Sequence, residues 1–211
     1  MAERYVSSEW TRQLESRMHW EFYWNQQALM AEYLKTGPRN LVEIGVGSGF
    51  AANYLRSKGH RVTTVDLDAA KFPDIVADIS TFQPEESYDA VLAFEILEHI
   101  PFDVVVRAVG RMGTYVRDAA FISVPRQQIS LMSVKLKLPV VRELSWRIAI
   151  PRRKLKIRSH FWEAGMAGVP VEKIECAFQS AGFKAANRFD YLNQMFMHWH
   201  KDDISQTQII E

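Results

Sequence analysis

The pattern of apolar and polar residues along the chain predicts strands that alternate with helices. Short runs rich in β-branched and apolar residues are typical of strands, and a spacing of three or four between apolar residues is typical of helices. The predicted strands cover residues 40–44, 61–66, 75–79, 88–94 and 119–125, and the predicted helices cover residues 51–58, 102–112 and 171–181. This alternation predicts an α/β fold with a doubly wound sheet.

Two further strands are predicted near the end of the chain. They cover residues 184–189 and 194–200, and a short turn at residues 190–193 joins them. Strands joined by so short a turn run antiparallel, so the sequence predicts a final hairpin.

The N-terminal residues 1–39 precede the first strand and are rich in aromatic side chains. Met18, Phe22, Leu29 and Tyr33 fall near helical spacing, and Gly37 with Pro38 ends the run. One interpretation is a helix that packs on the sheet. The other is a helical flap that closes over a ligand.

Three glycines follow the first strand directly. Gly45, Gly47 and Gly49 stand at alternate positions between that strand and the next helix, and Glu43 lies two residues before the first of them. Glycine permits backbone angles that other residues avoid and lets a ligand approach the main chain. The dinucleotide fingerprint is G-x-G-x-x-G, and Phe50 occupies its third glycine position here. A carboxylate at Glu43 suits a ligand with a positive charge better than a pyrophosphate.

This G-x-G-x-G turn with its preceding acid resembles the first motif of class I S-adenosylmethionine-dependent methyltransferases, of the small-molecule, type 11/12-like kind. The resemblance implies a single domain over residues 1–211 with S-adenosylmethionine as cofactor. It also implies a Rossmann-like sheet of seven strands in the order 3-2-1-4-5-7-6, in which strand 7 is antiparallel and belongs to the final hairpin.

An acid also ends the second strand. Asp66 lies 17 residues after Gly49, close to the spacing of about 20 expected for a ribose-binding carboxylate. Leu67 follows, where it is expected to lie against the adenine face. Asp78 and Ile79 match the family's adenine-binding positions, although a turn residue at a strand end is the simpler interpretation of Asp78 taken alone.

The fourth strand runs into a motif with acidic residues and a histidine. Residues 95–99 read E-I-L-E-H, and the resemblance places Phe94 and Glu95 beside the reactive methyl group. A histidine suits proton removal from an alcohol or phenol near neutral pH, so His160 and His99 are the candidate bases. We therefore predict His160, His99 and Glu95 as catalytic residues and no bound metal. In some relatives, including RNA 2′-O-methyltransferases, the E-x-x-E-H residues bind a divalent ion. The alternative here is a metal site formed by Glu95, Glu98, His99 and His160.

Residues 126–159 interrupt the core pattern with a basic segment. Between Lys135 and Arg158 it holds nine Lys and Arg residues and one acid, Glu143, for a net charge of +8. Three interpretations remain open. They are a solvated lid, a clamp for an anionic substrate, and a surface for nucleic acid or an anionic membrane.

Composition adds few constraints. The formal net charge of the chain is +1, and Cys176 is its single cysteine, which excludes an intrachain disulfide. The sequence shows no signal peptide and no apolar run long enough to cross a membrane, so we expect a cytoplasmic protein. The oligomeric state is not predictable from these features.

Together these features predict a methyltransferase that acts on a hydroxyl of a small metabolite. One alternative is a metal-assisted RNA 2′-O-methyltransferase. Another is a non-catalytic binding module with the same fold. Nucleic acid is a less favoured partner than a small-molecule acceptor, which the basic segment suggests is anionic.

Overall fold

The computed structural model describes residues 16–138, 141–151 and 159–201. Its elements follow the predicted order, with one additional hairpin. The helices are α1 (Arg17–Leu34), α2 (Phe50–Ser57), α3 (Phe102–Tyr115) and α4 (Val171–Ser180). The strands are β1 (Asn40–Ile44), β2 (Arg61–Asp66), β3 (Ile75–Val76), β4 (Tyr88–Phe94), β5 (Val116–Pro125), β6 (Gln128–Leu138), β7 (Val141–Pro151), β8 (Phe183–Tyr191) and β9 (Gln194–Lys201).

The main sheet has seven strands in the order β3-β2-β1-β4-β5-β9-β8. The first five are parallel, and β9 is antiparallel to both β5 and β8. Counted without the additional hairpin, this is the predicted order 3-2-1-4-5-7-6 with strand 7 antiparallel. The predicted fold class is therefore confirmed.

Hydrophobic packing occurs on both faces of this sheet. The larger buried cluster includes Val91, Met112 and Phe178, which come from β4, α3 and α4. The smaller cluster on the other face includes Leu29 of α1 and Leu55 of α2. Because β1 and β4 are buried on both faces, they consist mainly of continuous apolar residues, as strands in the middle of parallel sheets do.

The third strand is shorter than predicted. It ends at Val76, where the prediction extended to residue 79, because the chain turns at Asp78, whose Oδ1 accepts a hydrogen bond from the Ser80 N–H at 2.7 Å. The N-terminal helix begins at Arg17 with Ser16 as its N-cap. Residues 1–15, which precede it, lie outside the described residues.

The basic segment contains a second sheet that the sequence did not predict. Strands β6 and β7 pair antiparallel, and in the part of the chain that the structure describes they form a separate sheet of two strands. The hairpin leaves the main sheet directly after β5. None of the described helices is both long and apolar enough to cross a lipid bilayer.

Candidate active site

The glycine turn at the end of β1 has a conformation that requires glycine. The φ angles of Gly45, Gly47 and Gly49 are 83°, 55° and 73°, in the left-handed region that L-residues rarely adopt. A Cβ at Gly45 would also lie 3.0 Å from Cγ1 of Ile96, whereas one at Gly47 would meet no described atom within 4 Å. The three glycines therefore present main chain, without side chains, to a ligand at the turn.

The Asp66 carboxylate holds this turn in place. Its Oδ2 accepts a hydrogen bond from the Val46 N–H at 2.9 Å, and its Oδ1 accepts one from the Asp68 N–H at 2.9 Å. The Nζ of Lys71 forms an ion pair with Oδ2 at 3.1 Å, and both side chains are largely buried. A ribose that bonds to Asp66 would therefore compete with the Lys71 ammonium.

A cavity of about 540 Å³ opens at the carboxyl ends of β1 and β4. Of the predicted site residues, those that line it are Glu43, Gly45, Gly47, Phe94, Glu95, His99 and His160. A smaller cavity of about 350 Å³, lined in part by Gly49, lies on the other side of Lys71. Ligands of doubly wound sheets bind at this edge, so the position agrees with the predicted cofactor site.

Glu43 lies at the bottom of the large cavity and is buried. Its Oε2 has no hydrogen-bond partner among the described residues, and burial raises the pKa of its carboxyl to about 8. An unpaired, buried carboxyl oxygen is costly, and a cationic partner would satisfy it. The site therefore fits the ammonium group of an amino-acid ligand.

A cluster of three carboxyl groups and two imidazoles also lines the large cavity, those of Glu95, Glu98, Glu163, His99 and His160. Glu95 bonds to Ser123 Oγ at 2.8 Å and to Gln194 Nε2 at 2.7 Å. Glu95 is also a non-glycine residue with a φ of 54°. Such strain is common where a side chain is fixed for function, and these two bonds hold the Glu95 carboxyl at the cavity wall.

The two histidine rings of this cluster pack edge to face. The ring centroids of His99 and His160 lie 5.0 Å apart, and His160 Nδ1 lies 3.3 Å from Oε1 of Glu163. His160 and Glu163 are both buried. Burial and the neighbouring His160 lower the pKa of His99 to about 4. His99 is therefore neutral at physiological pH, as a proton acceptor or a metal ligand must be.

Two acids of the cluster, Glu95 and Glu98, resist ionisation. Burial raises the pKa of both Glu95 and Glu98, and for Glu98 the nearby Glu95 and Glu163 raise it further. Potential ligand atoms of Glu98, His99 and His160 lie within 4.8 Å of one another. A cation would neutralise this group of acids, so the donor set fits a divalent ion of the kind that the sequence left as an alternative.

Helix α1 forms the wall above the glycine turn. Tyr23 is hydrogen-bonded to Ser48 through their hydroxyl oxygens, which lie 2.8 Å apart, and the rings of Trp20 and Tyr23 pack on Phe50. Phe22 and Gln26 also line the cavity. The helix thus covers the ligand space, and its opening as a flap stays a prediction.

Four predicted cofactor residues line neither cavity in the described part of the chain. Asp66 lies beneath the glycine turn, and Leu67 is exposed. Asp78 is exposed and caps the turn that follows β3, while Ile79 packs in the core. Their contacts with adenosine therefore stay predictions.

Three contributors to the site received no role from the sequence. Glu163 is the charged residue of an apolar stretch, residues 161–166. A charged side chain in such a stretch indicates a buried functional group. The local sequence around Lys71 and Gln194 does not indicate a role for them. They reach the site because the fold brings their segments to the edge of the sheet where the cavity lies.

Fold and site together define the class of protein. A glycine turn at this edge of the sheet, a buried acid at the end of β1 and an antiparallel β9 inserted beside β5 are the features of class I S-adenosylmethionine-dependent methyltransferases. The sequence model described as "Methyltransferase domain" matches residues 19–206. The chain belongs to this family, and S-adenosylmethionine is its cofactor.

Solved structures of methyltransferases share the fold. The N-methyltransferase NodS from Bradyrhizobium japonicum WM9, in complex with S-adenosylhomocysteine, has a TM-score of 0.61 and 12% identity, over 95% of this chain and 95% of that one. The magnesium protoporphyrin IX methyltransferase from Synechocystis PCC 6803 with bound S-adenosylmethionine has a TM-score of 0.59 and 10% identity, over 94% of this chain and 86% of that one.

The 1,6-didemethyltoxoflavin-N1-methyltransferase from Burkholderia thailandensis was crystallised with 1,6-didemethyltoxoflavin and S-adenosylhomocysteine. It has a TM-score of 0.55 and 18% identity, over 84% of this chain and 76% of that one. No curated protein gave a significant match. At these identities the structural matches establish the fold and not the acceptor.

Proposed function

We propose that the protein transfers the methyl group of S-adenosylmethionine to a hydroxyl of a small acceptor. The observation that carries this proposal is the buried pair of His160 and Glu163, which borders the cavity next to His99. An imidazole supported by a carboxylate is suited to removing a hydroxyl proton. An amine acceptor that reacts as the free base needs no such pair at the moment of transfer.

The chemistry of the cavity lining supports a proposal for how the cofactor is held. Glu43 would hold the ammonium group, and the main chain of Gly45 and Gly47 would face the ligand. Asp66 would bond to the ribose once Lys71 is displaced, with Leu67, Asp78, Ile79 and Phe94 proposed around the adenine and the methyl group. When bound, S-adenosylmethionine supplies an electrophilic methyl group on a sulfonium.

The protein must also remove the proton of the acceptor hydroxyl. His160 would accept it as the oxygen–carbon bond forms and the carbon–sulfur bond breaks, leaving S-adenosylhomocysteine. Glu163 would stabilise the imidazolium that results. Glu95, fixed by Ser123 and Gln194, would bind and orient the acceptor. Orientation of this kind contributes a large part of the rate in displacement reactions.

The first experiment is a calorimetric titration with S-adenosylmethionine and S-adenosylhomocysteine, with NAD as the negative control. Turnover is then measured with a panel of phenols, alcohols, amines and carboxylates. The proposal requires that the accepted substrates be hydroxyl compounds. A preference for amines, or binding of the cofactor without turnover on any acceptor, would overturn it, and the second result would favour a binding module.

A second candidate is metal-assisted transfer, in which the ion polarises the hydroxyl. The close approach of Glu98, His99 and His160 favours it. These residues would hold a divalent ion, with Glu95 as a further ligand. Loss of turnover on chelation and its recovery with Mg²⁺ or Mn²⁺ would support this mechanism, and full activity after chelation would exclude it. If the acceptor hydroxyl belongs to RNA, binding of RNA should weaken steeply with salt.

The proposal includes an anionic acceptor. Arg126 lines the cavity, but its guanidinium is bonded to the Asp190 carboxylate at 2.9 Å and 3.1 Å. The basic segment is thus the principal support for it. Comparison of matched phenols with and without a carboxylate measures this preference directly.

A further inference from the structure

The β6–β7 hairpin exposes a row of apolar side chains. Ile129 pairs with Ile150, Met132 with Ile148 and Val134 with Trp146, directly across the two strands. Residues directly opposite each other lie on the same face of an antiparallel pair. The register pairs between them, Ser130 with Ala149 and Ser133 with Arg147, are small or polar. One face of the hairpin is therefore apolar along three successive pairs.

This apolar face is not covered by the rest of the described chain. Five of its side chains, Ile129, Met132, Trp146, Ile148 and Ile150, are between 38% and 60% exposed. A two-stranded hairpin is only marginally stable in water by itself. An exposed apolar surface on such an element is typical of a site that contacts a partner.

The charge of the segment indicates the kind of partner. Between Lys135 and Arg158 the net charge is +8, of which β6 and β7 contribute +3 from four cations and Glu143, and the remainder of the chain carries about −7. Apolar side chains combined with many cations and a tryptophan are characteristic of surfaces that bind anionic lipid bilayers. A second copy of the chain would bring two strongly basic segments together, which like-charge repulsion opposes.

The apolar side chains favour lipid over RNA. Single-stranded nucleic acid is bound by aromatic rings that stack on the bases. Trp146 is the aromatic residue of β6 and β7, and the other exposed side chains of the face are aliphatic or methionine. Aliphatic side chains gain free energy by leaving water for hydrocarbon.

The hairpin also has a defined position relative to the site. It starts two residues after Arg126, and the chain beyond it re-enters the described structure at Ser159 and His160. All three of these residues line the large cavity. A partner on the hairpin would therefore lie close to the cavity opening.

We propose that the β6–β7 hairpin docks the protein on an anionic phospholipid bilayer, with its apolar face in the lipid and its cations at the headgroups. Docking does not depend on which atom is methylated. If the proposed function holds, docking also defines the acceptor as a hydroxyl compound that reaches the cavity from the bilayer.

The test is flotation of the purified protein with phosphatidylcholine vesicles, with and without phosphatidylglycerol. We expect binding to the anionic vesicles, weaker binding at high salt and little binding to neutral vesicles. Trp146→Ala should lower the partition coefficient by roughly tenfold, given the preference of tryptophan for membrane interfaces. Met132→Ser combined with Ile148→Ser should lower it at least as much.

Trp24→Ala is the matched control, because Trp24 is also an exposed tryptophan but lies on α1. It should bind vesicles as the wild type does. Titration with S-adenosylhomocysteine reports on folding and on the cofactor site in every variant. Retained cofactor binding without vesicle binding would overturn docking alone. Equal loss in Trp24→Ala and Trp146→Ala, dimerisation through the hairpin, or binding to RNA in place of vesicles would also overturn it.

Discussion

Glu43 connects proton binding to cofactor binding at the scale of a single residue. Its pKa of about 8 means that most Glu43 carboxyls are protonated at pH 6–7. Only the ionised form attracts an ammonium, and an α-amino group with a pKa near 8 remains protonated in this range. The affinity for S-adenosylhomocysteine should therefore rise with pH, by about tenfold per unit between pH 6 and 7.

The measurement is a set of calorimetric titrations across this range with the wild type and Glu43→Gln. The glutamine cannot ionise, so its affinity should be lower at pH 7 and nearly independent of pH. A parallel slope in both proteins would show that another group controls the dependence.

His160 and Glu163 form the second prediction at this scale. Removal of a general base typically lowers a rate by a factor of about 10²–10⁴. His160→Ala should lower kcat by roughly a hundredfold, and Glu163→Gln by roughly tenfold, because the amide cannot stabilise an imidazolium. The affinity for S-adenosylhomocysteine should change little in either variant.

The matched control is Glu175→Gln, which alters a glutamate in a surface ion pair with Arg188. It should leave kcat unchanged. Unchanged turnover in His160→Ala with a true substrate would mean that the acceptor binds elsewhere in the cavity.

At the scale of the element, the glycine turn combines a backbone requirement with close packing. Gly45→Ala would place a Cβ at a φ of 83° and against Ile96. We expect the free energy of unfolding to fall by about 1–3 kcal/mol, and cofactor affinity to fall because the turn shifts. Gly110→Ala in α3 is the control, since a Cβ there meets open space and alanine favours helices. Urea denaturation and titration of both variants test this, and equal stability of the two would contradict it.

The elements of the main sheet could be predicted because local sequence determines them. Runs such as residues 90–94 are apolar throughout, and the glycines interrupt the pattern where β1 ends. The hairpin could not be predicted, because Pro139 and four cations interrupt its alternation and nothing in the local sequence shows whether such a segment forms strands. His160 and Glu163 are three residues apart but lie in no helix or strand, so their spacing alone does not predict the contact. The approach of His99 to His160 depends on the path of the whole chain.

At the scale of the whole molecule, the structure predicts a large effect of the cofactor on stability. Helix α1, the glycine turn with Glu43, and His160 belong to three separate segments that only folding brings together, so a ligand between them should bind only the folded state. At a hundred times its Kd, such a ligand stabilises by about 2.7 kcal/mol, which corresponds to roughly 5–10 °C in Tm for a domain of this size. Differential scanning fluorimetry with S-adenosylhomocysteine measures the shift, and NAD should produce none.

The hairpin has a narrow base, where Gln128 faces Pro151 across the two strands. Just before it, the Gln127 N–H donates to the carbonyl of Ala164 at 2.9 Å, and the Arg126 N–H donates to the carbonyl of Asn193 at 2.7 Å. The strands of the main sheet and the segments beside them are therefore hydrogen-bonded to one another without any contribution from β6 or β7. Evolution can replace such a segment by another of different sequence, because the replacement leaves the strands that hold the cofactor intact. Relatives could thus acquire new locations and new acceptors while retaining one methyl-transfer core.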